Sequence, residues 1–317
     1  MPRGLSMTFF NDLNKGFLNS LLDFVKKDDT LCLEIREDAI NIYYRGGSLL
    51  QVTHRDNRYT AFFNPNYLIS KSVQYIIIPP LLTKKNKVIT KENIERYLQA
   101  IPVMKQIIDF WIGENNTFEK EFQQLMIREN NTRNLAVGTD YFICDIEYAA
   151  GAAGRFDLVA VKWPSSGLER KKDNSLRLAL IEMKYMDNAL RGYSGLQDHI
   201  NKTDLFLRSK GFNKFIGEMK TVFNQKLELG LITNKKAIKG FGSGKPEYIL
   251  VLANHDPDSS ILYDELKNLN IPSDFGADLK VAVGNFMGYG LFSENIYDLK
   301  DFEKRFSRQV YSKLDKK

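Results

Sequence analysis

Cysteine and histidine are the residue types that this sequence holds least of. Two cysteines, Cys32 and Cys144, stand far apart without a CxxC spacing, and only three histidines occur in 317 residues. A chain of this length buries enough surface to fold without cross-links, so no disulfide scaffold is needed and the cysteines are expected as buried thiols. So few histidines also argue against a zinc site of the His-rich kind.

Long apolar runs are missing as well. No window approaches about 18 uninterrupted apolar residues, and the opening MPRGLSMTFF lacks the apolar core of a signal peptide. No GxGxxG opens a helix after a strand, and no glycine-rich stretch fits the phosphate-binding pattern GxxxxGK[ST]. These absences predict a cytoplasmic protein that carries no nucleotide-cofactor motif.

Basic residues exceed acidic ones by a modest margin. Lys and Arg number 45 against 39 Asp and Glu, for a net charge of +6 and a pI of about 9.0. The excess lies in residues 1–250 and is compatible with a nucleic-acid partner. It is equally compatible with ordinary solubility, so charge alone does not decide the partner.

The pattern of the chain changes near residue 110. Residues 1–110 begin with an amphipathic stretch, FFNDLNKGFLNSLLDFVKK, which predicts one helix, and continue as short alternating segments that predict an antiparallel meander. A linking helix over residues 92–111, kinked or interrupted at Pro102, ends this accessory module. Residues 111–317 are predicted to form the main domain.

The order of elements in the main domain predicts an α/β fold. A helix, TFEKEFQQLMIREN, is followed by three strands, DYFICDIEYAA, GRFDLVAVKW and LRLALIEMKY, and then by helices that alternate with further apolar strands. Three consecutive strands, a helical connection and another strand indicate a mixed sheet with helices on its faces.

Charged residues interrupt two of these apolar strands. Asp157 lies in GRFDLVAVKW, and Glu182 and Lys184 lie in LRLALIEMKY. If the strands form a hairpin centred on the polar loop PSSGLERKKDNS, Trp163 faces Leu176 and Asp157 faces Glu182. Side chains alternate along a strand, so Glu182 and Lys184 share a face. The pattern therefore predicts one patch that holds all three charges.

Two carboxylates this close together disfavour burial without a partner. Mg²⁺ or Mn²⁺ binds carboxylate oxygens and activates water for attack on a phosphodiester, and a nearby lysine can balance charge on the phosphate. We therefore predict a metal-assisted site for phosphodiester hydrolysis. The alternative is a buried Asp/Glu–Lys network that only joins the two strands, because an E-x-K triplet by itself is common.

This arrangement resembles the PD-(D/E)xK nuclease superfamily, whose restriction-endonuclease-like core runs helix, three-strand meander, helix, strand. Asp157 in RFDLVAV matches the aspartate of the second strand, and Glu182 and Lys184 in LIEMK match the (D/E)xK of the third. Phe156 stands where the proline of the name would be, at a position that varies in the superfamily. The resemblance covers residues 117–255 and rests on order and spacing.

The resemblance implies a Mg²⁺- or Mn²⁺-dependent endonuclease that acts on DNA in preference to RNA, in restriction, defence or repair. Asp157, Glu182 and Lys184 would be its catalytic residues. The metal would be held by Asp157, Glu182 and the main-chain carbonyl of Met183.

Two helices are implied to add residues to this site. Glu121 is the candidate metal ligand from the first helix, because its spacing from Phe118 and Leu125 places it towards the apolar face. Gln197, in the helix after the third strand, is the candidate for a further catalytic residue. An exposed helix residue is the alternative for each. Asp145 and Glu147 are expected on a solvated face of the first strand.

The module of residues 1–110 matches no family pattern. It is compatible with binding a partner protein or a second copy of the chain. The alternative to an endonuclease is a catalytically silent nucleic-acid-binding or assembly protein that retains the nuclease fold.

Overall fold

The computed structural model describes most of the chain. The residues that it describes are 2–83, 87–115, 117–131, 138–149, 151, 155–174, 176–192, 195–233, 236–255, 260–284, 291, 293 and 296–304. They fall into two compact units, Met1–Arg128 with Thr221–Thr233 and Glu129–Lys220 with Asn234–Lys317. The first unit is therefore completed by a segment from far downstream in the chain.

A five-stranded antiparallel sheet forms the framework of the first unit. Its strands follow each other in space in chain order: β1 (Leu31–Ile35), β2 (Ala39–Tyr44), β3 (Gly47–Arg55), β4 (Arg58–Phe62) and β5 (Lys87–Ile89). Burial alternates along β4, whereas β1 is buried at four of its five residues, including Glu34. The predicted antiparallel meander is confirmed.

The N-terminal stretch folds as two helices, and the prediction of one helix over residues 9–27 is wrong. The two are α1 (Met7–Asn14) and α2 (Asn19–Lys27). Gly16 lies in the break, where a Cβ atom would come within 2.6 Å of the Cα of Asp12. The chain approaches itself too closely there for any side chain, which is why glycine occupies the turn.

Two longer helices follow the sheet. They are α3 (Ile94–Asn115), which is continuous through Pro102, and α4 (Phe118–Asn131). None of the helices in the described part of the chain is long and apolar enough to cross a lipid bilayer.

The core of the first unit contains a buried ion pair. In sequence, two helices lie between the strands of the second half of the chain, α5 (Leu196–Leu207) and α6 (Lys210–Glu228). Lys226, near the end of α6, places its Nζ 2.7 Å from both carboxylate oxygens of Glu34 on β1. Each side chain is only 1% exposed. A charge without a partner at such a position would cost several kcal/mol, so each residue makes the burial of the other tolerable.

A six-stranded mixed sheet forms the framework of the second unit. Its order in space is β11-β10-β9-β8-β7-β6, built from β6 (Tyr141–Ala149), β7 (Arg155–Lys162), β8 (Arg177–Tyr185), β9 (Glu247–Ala253), β10 (Asp278–Gly284) and β11 (Ile296–Asp298). The first three pair antiparallel, whereas β8, β9 and β10 are parallel. Because parallel neighbours need a crossover, α5 and part of α6 connect β8 to β9, and α7 (Ile261–Lys267) connects β9 to β10.

The mixed α/β architecture is thus confirmed. Residues 299–304, directly after β11, are helical.

The register of the β7–β8 hairpin agrees with the one inferred from its polar loop. Leu158 pairs with Ile181 and Lys162 with Arg177, so opposed residues sum to 339. Continued by one position, this register sets Asp157 against Glu182. The predicted register is confirmed from the Leu158–Ile181 pair to the Lys162–Arg177 pair. Most residues of both strands are buried, so the polar loop between them, and not an alternation of burial, was the signal that predicted this register.

The expectation that Asp145 lies on a solvated face is wrong. Six consecutive residues of β6, starting at Tyr141, are buried, so both faces of this strand are covered. A register shift between Ile143 and Asp145 also interrupts the alternation. Asp145 is fully buried and accepts a hydrogen bond from the backbone N–H of Ile146 at 2.9 Å. Glu147 is partly exposed and pairs with Arg155.

Replacement of Lys226 by methionine should destabilise the protein by about 3–5 kcal/mol, because it leaves the Glu34 carboxylate buried without its cation. Urea denaturation measures this change, with the exposed Lys220→Ala on the same helix as control. The double variant Lys226→Met/Glu34→Leu should recover most of the loss. A double variant as unstable as the single one would contradict this account.

Candidate active site

Glu182 and Lys184 stand on one face of β8 and are almost completely enclosed. Glu182 is 3% exposed and Lys184 is 7% exposed, while Ile181 and Met183, on the opposite face, are fully buried. An ionised side chain at such a position requires a partner of opposite charge. Lys184 provides it, since its Nζ lies 2.9 Å from Glu182 Oε1.

His199 completes a three-membered cluster with these two residues. Its Nε2 lies 3.0 Å from Glu182 Oε1 and 3.1 Å from Lys184 Nζ. We call Glu182, Lys184 and His199 the triangle. His199 lies in the first turn of α5, and its side chain is 19% exposed.

The three contacts of the triangle cannot all be hydrogen bonds at the same time, because two of them use the same nitrogen atom, His199 Nε2. Nε2 of a neutral histidine is either a donor or an acceptor. As a donor it binds Glu182 Oε1 and only lies close to the Lys184 ammonium. As an acceptor it receives a hydrogen bond from Lys184 and faces the carboxylate oxygen with its lone pair. Glu182 Oε1 can accept from Lys184 and from a donor Nε2 together, whereas an acceptor Nε2 leaves that oxygen to Lys184 alone.

Asp157 lies beside the triangle on the neighbouring strand. Its Oδ2 accepts a hydrogen bond from the backbone N–H of Met183 at 2.8 Å, which joins β7 to β8 just beyond the last of the ladder pairs. The side chain is half-buried. This contact ties the carboxylate to the backbone of Met183, the residue between Glu182 and Lys184.

Both carboxylates act on the same neighbouring hydroxyl. Tyr248 on β9 is fully buried, and burial together with the negative charges of Glu182 and Asp157 raises the pKa of its phenol well above the ordinary value. Asp157 and Glu182 thus contribute to one local electrostatic field, which extends over three adjacent strands.

The donor set suits a hard divalent cation. Asp157 and Glu182 offer carboxylate oxygens, which Mg²⁺ and Mn²⁺ prefer, and Mg²⁺ commonly takes only one or two carboxylates from the protein and fills its shell with water and phosphate. Among the described residues, no group of three or more His, Cys, Asp or Glu side chains could hold a metal ion. The residues fit a cation held by two carboxylates, provided that Glu182 exchanges its contacts within the triangle.

The two helix residues named from the sequence have other partners. Glu121 belongs to the first unit, where the Arg45 guanidinium binds both of its oxygens, at 2.8 and 3.1 Å. Gln197 forms hydrogen bonds with the Asn201 side chain and with the backbone N–H and carbonyl of Asn270. Their roles in metal binding and catalysis stay predictions.

His199 is the residue that the sequence reasoning missed. Leu196, Ile200 and Thr203 are the buried residues of α5 near it, and position 199 falls on the same face by the three- and four-residue spacing of a helix. Gln197 has this spacing to Ile200 alone. This periodicity was the available signal, and it favours His199 over Gln197 as the helix residue that reaches β8.

A second His–carboxylate pair lies just past the ends of the parallel strands β8 and β9. His255 Nδ1 is 2.8 Å from Asp187 Oδ1, with side chains 9% and 7% exposed. Between β8 and this pair, Met186 has a φ of 61°, a conformation that non-glycine residues rarely adopt. The two residues are 68 positions apart in the sequence, and the fold brings them together.

Known proteins add nothing to this geometry. No protein-family model, no curated protein and no solved structure matches the chain. A functional assignment therefore depends on the residues of the site themselves.

Asp157→Leu should destabilise the protein by about 1–3 kcal/mol, because it leaves the buried N–H of Met183 without its acceptor. Asp157→Asn keeps an oxygen that accepts the same hydrogen bond and should cost less than about 1 kcal/mol. Urea denaturation of both variants measures the difference. Equal losses for Asn and Leu would show that the hydrogen bond to Met183 is not what Asp157 contributes.

Proposed function

We propose that this protein is a metal-dependent nuclease that hydrolyses phosphodiester bonds, with DNA as the favoured substrate. One observation carries the proposal: the β7–β8 register brings Asp157 next to Glu182 and Lys184 inside an apolar sheet. This is the juxtaposition that the PD-(D/E)xK resemblance requires. The restriction-endonuclease-like fold is part of the proposal, supported by the antiparallel β6–β7–β8 meander and the parallel β9.

Each residue has a task that follows from its chemistry. Asp157 and Glu182 would hold a Mg²⁺ or Mn²⁺ ion, with the Met183 carbonyl as a further oxygen ligand. The ion supplies Lewis-acid activation of the phosphodiester and of the attacking water. The Lys184 ammonium can donate to a non-bridging phosphate oxygen, where it stabilises the negative charge that develops in the transition state.

The triangle gives His199 a positioning role in this scheme. When Glu182 turns its oxygen towards a cation, Lys184 loses the carboxylate that holds it. His199 Nε2, already 3.1 Å from Lys184 Nζ, can then accept a hydrogen bond from the ammonium. His199 would thereby keep Lys184 in place while Glu182 is engaged elsewhere.

A catalytically silent nucleic-acid-binding or assembly protein is the second candidate. The feature that favours it is the closure of the triangle, since Lys184 and His199 already compensate the charge of Glu182. In that case the cluster would serve only to join β8 to α5. The two candidates differ in whether Asp157 and Glu182 bind a divalent cation.

Cleavage assays decide between the two candidates. The protein should cut at least one of supercoiled plasmid, linear duplex, single-stranded DNA or RNA in Mg²⁺ or Mn²⁺, and EDTA should abolish the activity. Lys184→Met should lower the rate by at least about a hundredfold, because it removes charge stabilisation from the transition state. Lys202→Met on α5, which loses a partly exposed lysine paired with Asp198, serves as the matched control.

Equal activity of the Lys184→Met and Lys202→Met variants would overturn the catalytic role of Lys184. Absence of both cleavage and Mn²⁺ binding would overturn the nuclease and favour the silent protein.

Substitution of His199 should weaken metal binding although His199 is not a proposed ligand. In His199→Ala the Lys184 ammonium has no second acceptor and stays against Glu182, so Mn²⁺ affinity should fall by about 10- to 100-fold. His199→Gln offers an amide oxygen to Lys184 and should restore part of it. Calorimetric titration measures the Mn²⁺ affinity of the wild type and of the two variants. Unchanged or tighter binding in His199→Ala would mean that His199 only competes with the cation for Glu182.

A further inference from the structure

Two basic segments that are far apart in the sequence lie side by side in the second unit. They are residues 164–174, which connect β7 to β8, and residues 236–246, which precede β9. We call them the loop pair. The candidate active site uses neither segment.

Main-chain contacts hold the loop pair together. The backbone N–H of Lys239 donates to the Asp173 carbonyl at 2.6 Å, and Lys236 Nζ donates to the Lys171 carbonyl, also at 2.6 Å. The Asp173 carboxylate pairs with the ammonium groups of Lys236 and Lys239 in the second segment, at 3.2 and 3.4 Å. The segments therefore present one defined surface and not two independent loops.

The end of the loop pair is joined to β8 in the same way. Leu176, which directly precedes β8, forms a parallel β-bridge with Phe241 and accepts a hydrogen bond from the N–H of Gly242 at 2.8 Å. Arg177 Nε donates to the Lys245 carbonyl at 2.8 Å. The surface is thus anchored to the strand that carries Glu182 and Lys184.

The loop pair carries much of the positive charge of the chain. Its segments contain six Lys and Arg residues against two Asp and Glu, an excess of four where the whole chain has an excess of six. The side chains of Lys172, Lys236 and Lys239 are 50%, 48% and 76% exposed, and Lys171 is exposed as well. Arg170 differs, since its guanidinium donates to the carbonyl oxygens of Trp163 and Thr139.

The position of the loop pair relative to the site follows from β8. The strand leaves the loop pair at Arg177 and reaches Glu182 five residues later, a distance of about 17 Å along an extended strand. About five successive phosphates of one strand of a duplex span that length. Because the residues from Leu178 to Lys184 are buried, a nucleic acid would have to run over the protein surface above β8 to contact both the site and the exposed lysines.

We propose that the loop pair binds the phosphate backbone of the nucleic acid outside the cleaved bond. This inference rests on the proposed nuclease function and adds a second contact surface to it. Lysine ammonium groups act as point charges that attract phosphate without reading bases. Ser243 and Gly244 are exposed beside these lysines, and without a side chain at Gly244 an extended polyanion can approach the backbone closely there. The surface contributes affinity that does not depend on base sequence.

The test compares two triple variants of the full chain with equal charge. Lys171→Ala/Lys172→Ala/Lys239→Ala removes three exposed charges from the loop pair and leaves Lys236, which holds the segments together. Lys210→Ala/Lys220→Ala/Lys267→Ala removes three exposed lysines elsewhere in the same unit. Far-UV circular dichroism and thermal melting confirm that each variant is folded.

Fluorescence anisotropy then measures binding to a labelled duplex of about 30 base pairs, in EDTA, between about 50 and 200 mM KCl. In the loop-pair variant the slope of log affinity against log salt should fall by roughly two to three, since each lost phosphate contact removes about 0.9. The control variant should change it by less than about one. Equal slopes for the two variants would overturn the proposal.

Two further arms separate this inference from the proposed function. If the wild type cleaves and binds DNA while both triple variants bind alike, the loop pair is not a contact surface and the nuclease stands. If the wild type binds DNA through the loop pair but never cleaves, the surface stands and the nuclease falls. If the wild type binds anionic phospholipid vesicles but no DNA, and the loop-pair variant loses the binding to vesicles, the nucleic-acid assignment is overturned in favour of a membrane surface.

Discussion

The antiparallel register of β7 against β8 fixes which charges meet in the second unit. With Leu158 opposite Ile181, Asp157 reaches the backbone N–H of Met183, the residue between Glu182 and Lys184. A slip of one residue would turn every side chain of one strand to the other face. It would turn Asp157 away from the face that carries Glu182 and so separate the two carboxylates. The strand pairing that stabilises the sheet therefore also assembles the candidate site.

Much of the second unit was predictable because its information is local. The β7–β8 hairpin follows from two apolar strands around one polar loop, and strand alternation places Glu182 with Lys184. The choice between Gln197 and His199 was not evident because both polar residues lie in the same helix turn, each three residues from one of Leu196 and Ile200, and only the spacing to Thr203 favours His199. In the first unit, the break at Gly16 depends on a close backbone approach to Asp12, which apolar periodicity does not register.

Two buried glutamate–lysine pairs among the described residues show what distinguishes a site from a structural bond. Glu34 and Lys226 are each 1% exposed, and both carboxylate oxygens face the ammonium at the same distance. In the other pair, Lys184 and His199 approach the same oxygen of Glu182, and Asp157 lies beside them. The first geometry satisfies both groups with each other, whereas in the second Lys184 can donate to either Glu182 or His199.

The late position of Lys226 in the chain constrains how the protein can fold during synthesis. Glu34 is made early, and its partner follows 192 residues later, which corresponds to about 10 to 40 s at a ribosomal rate of about 5 to 20 residues per second. During that interval the first unit lacks the segment Thr221–Thr233 and contains a carboxylate without its cation. The amino-terminal unit therefore cannot finish folding before the strands β6, β7 and β8 have emerged, so most of the first segment of the second unit is already made while the first unit is still incomplete.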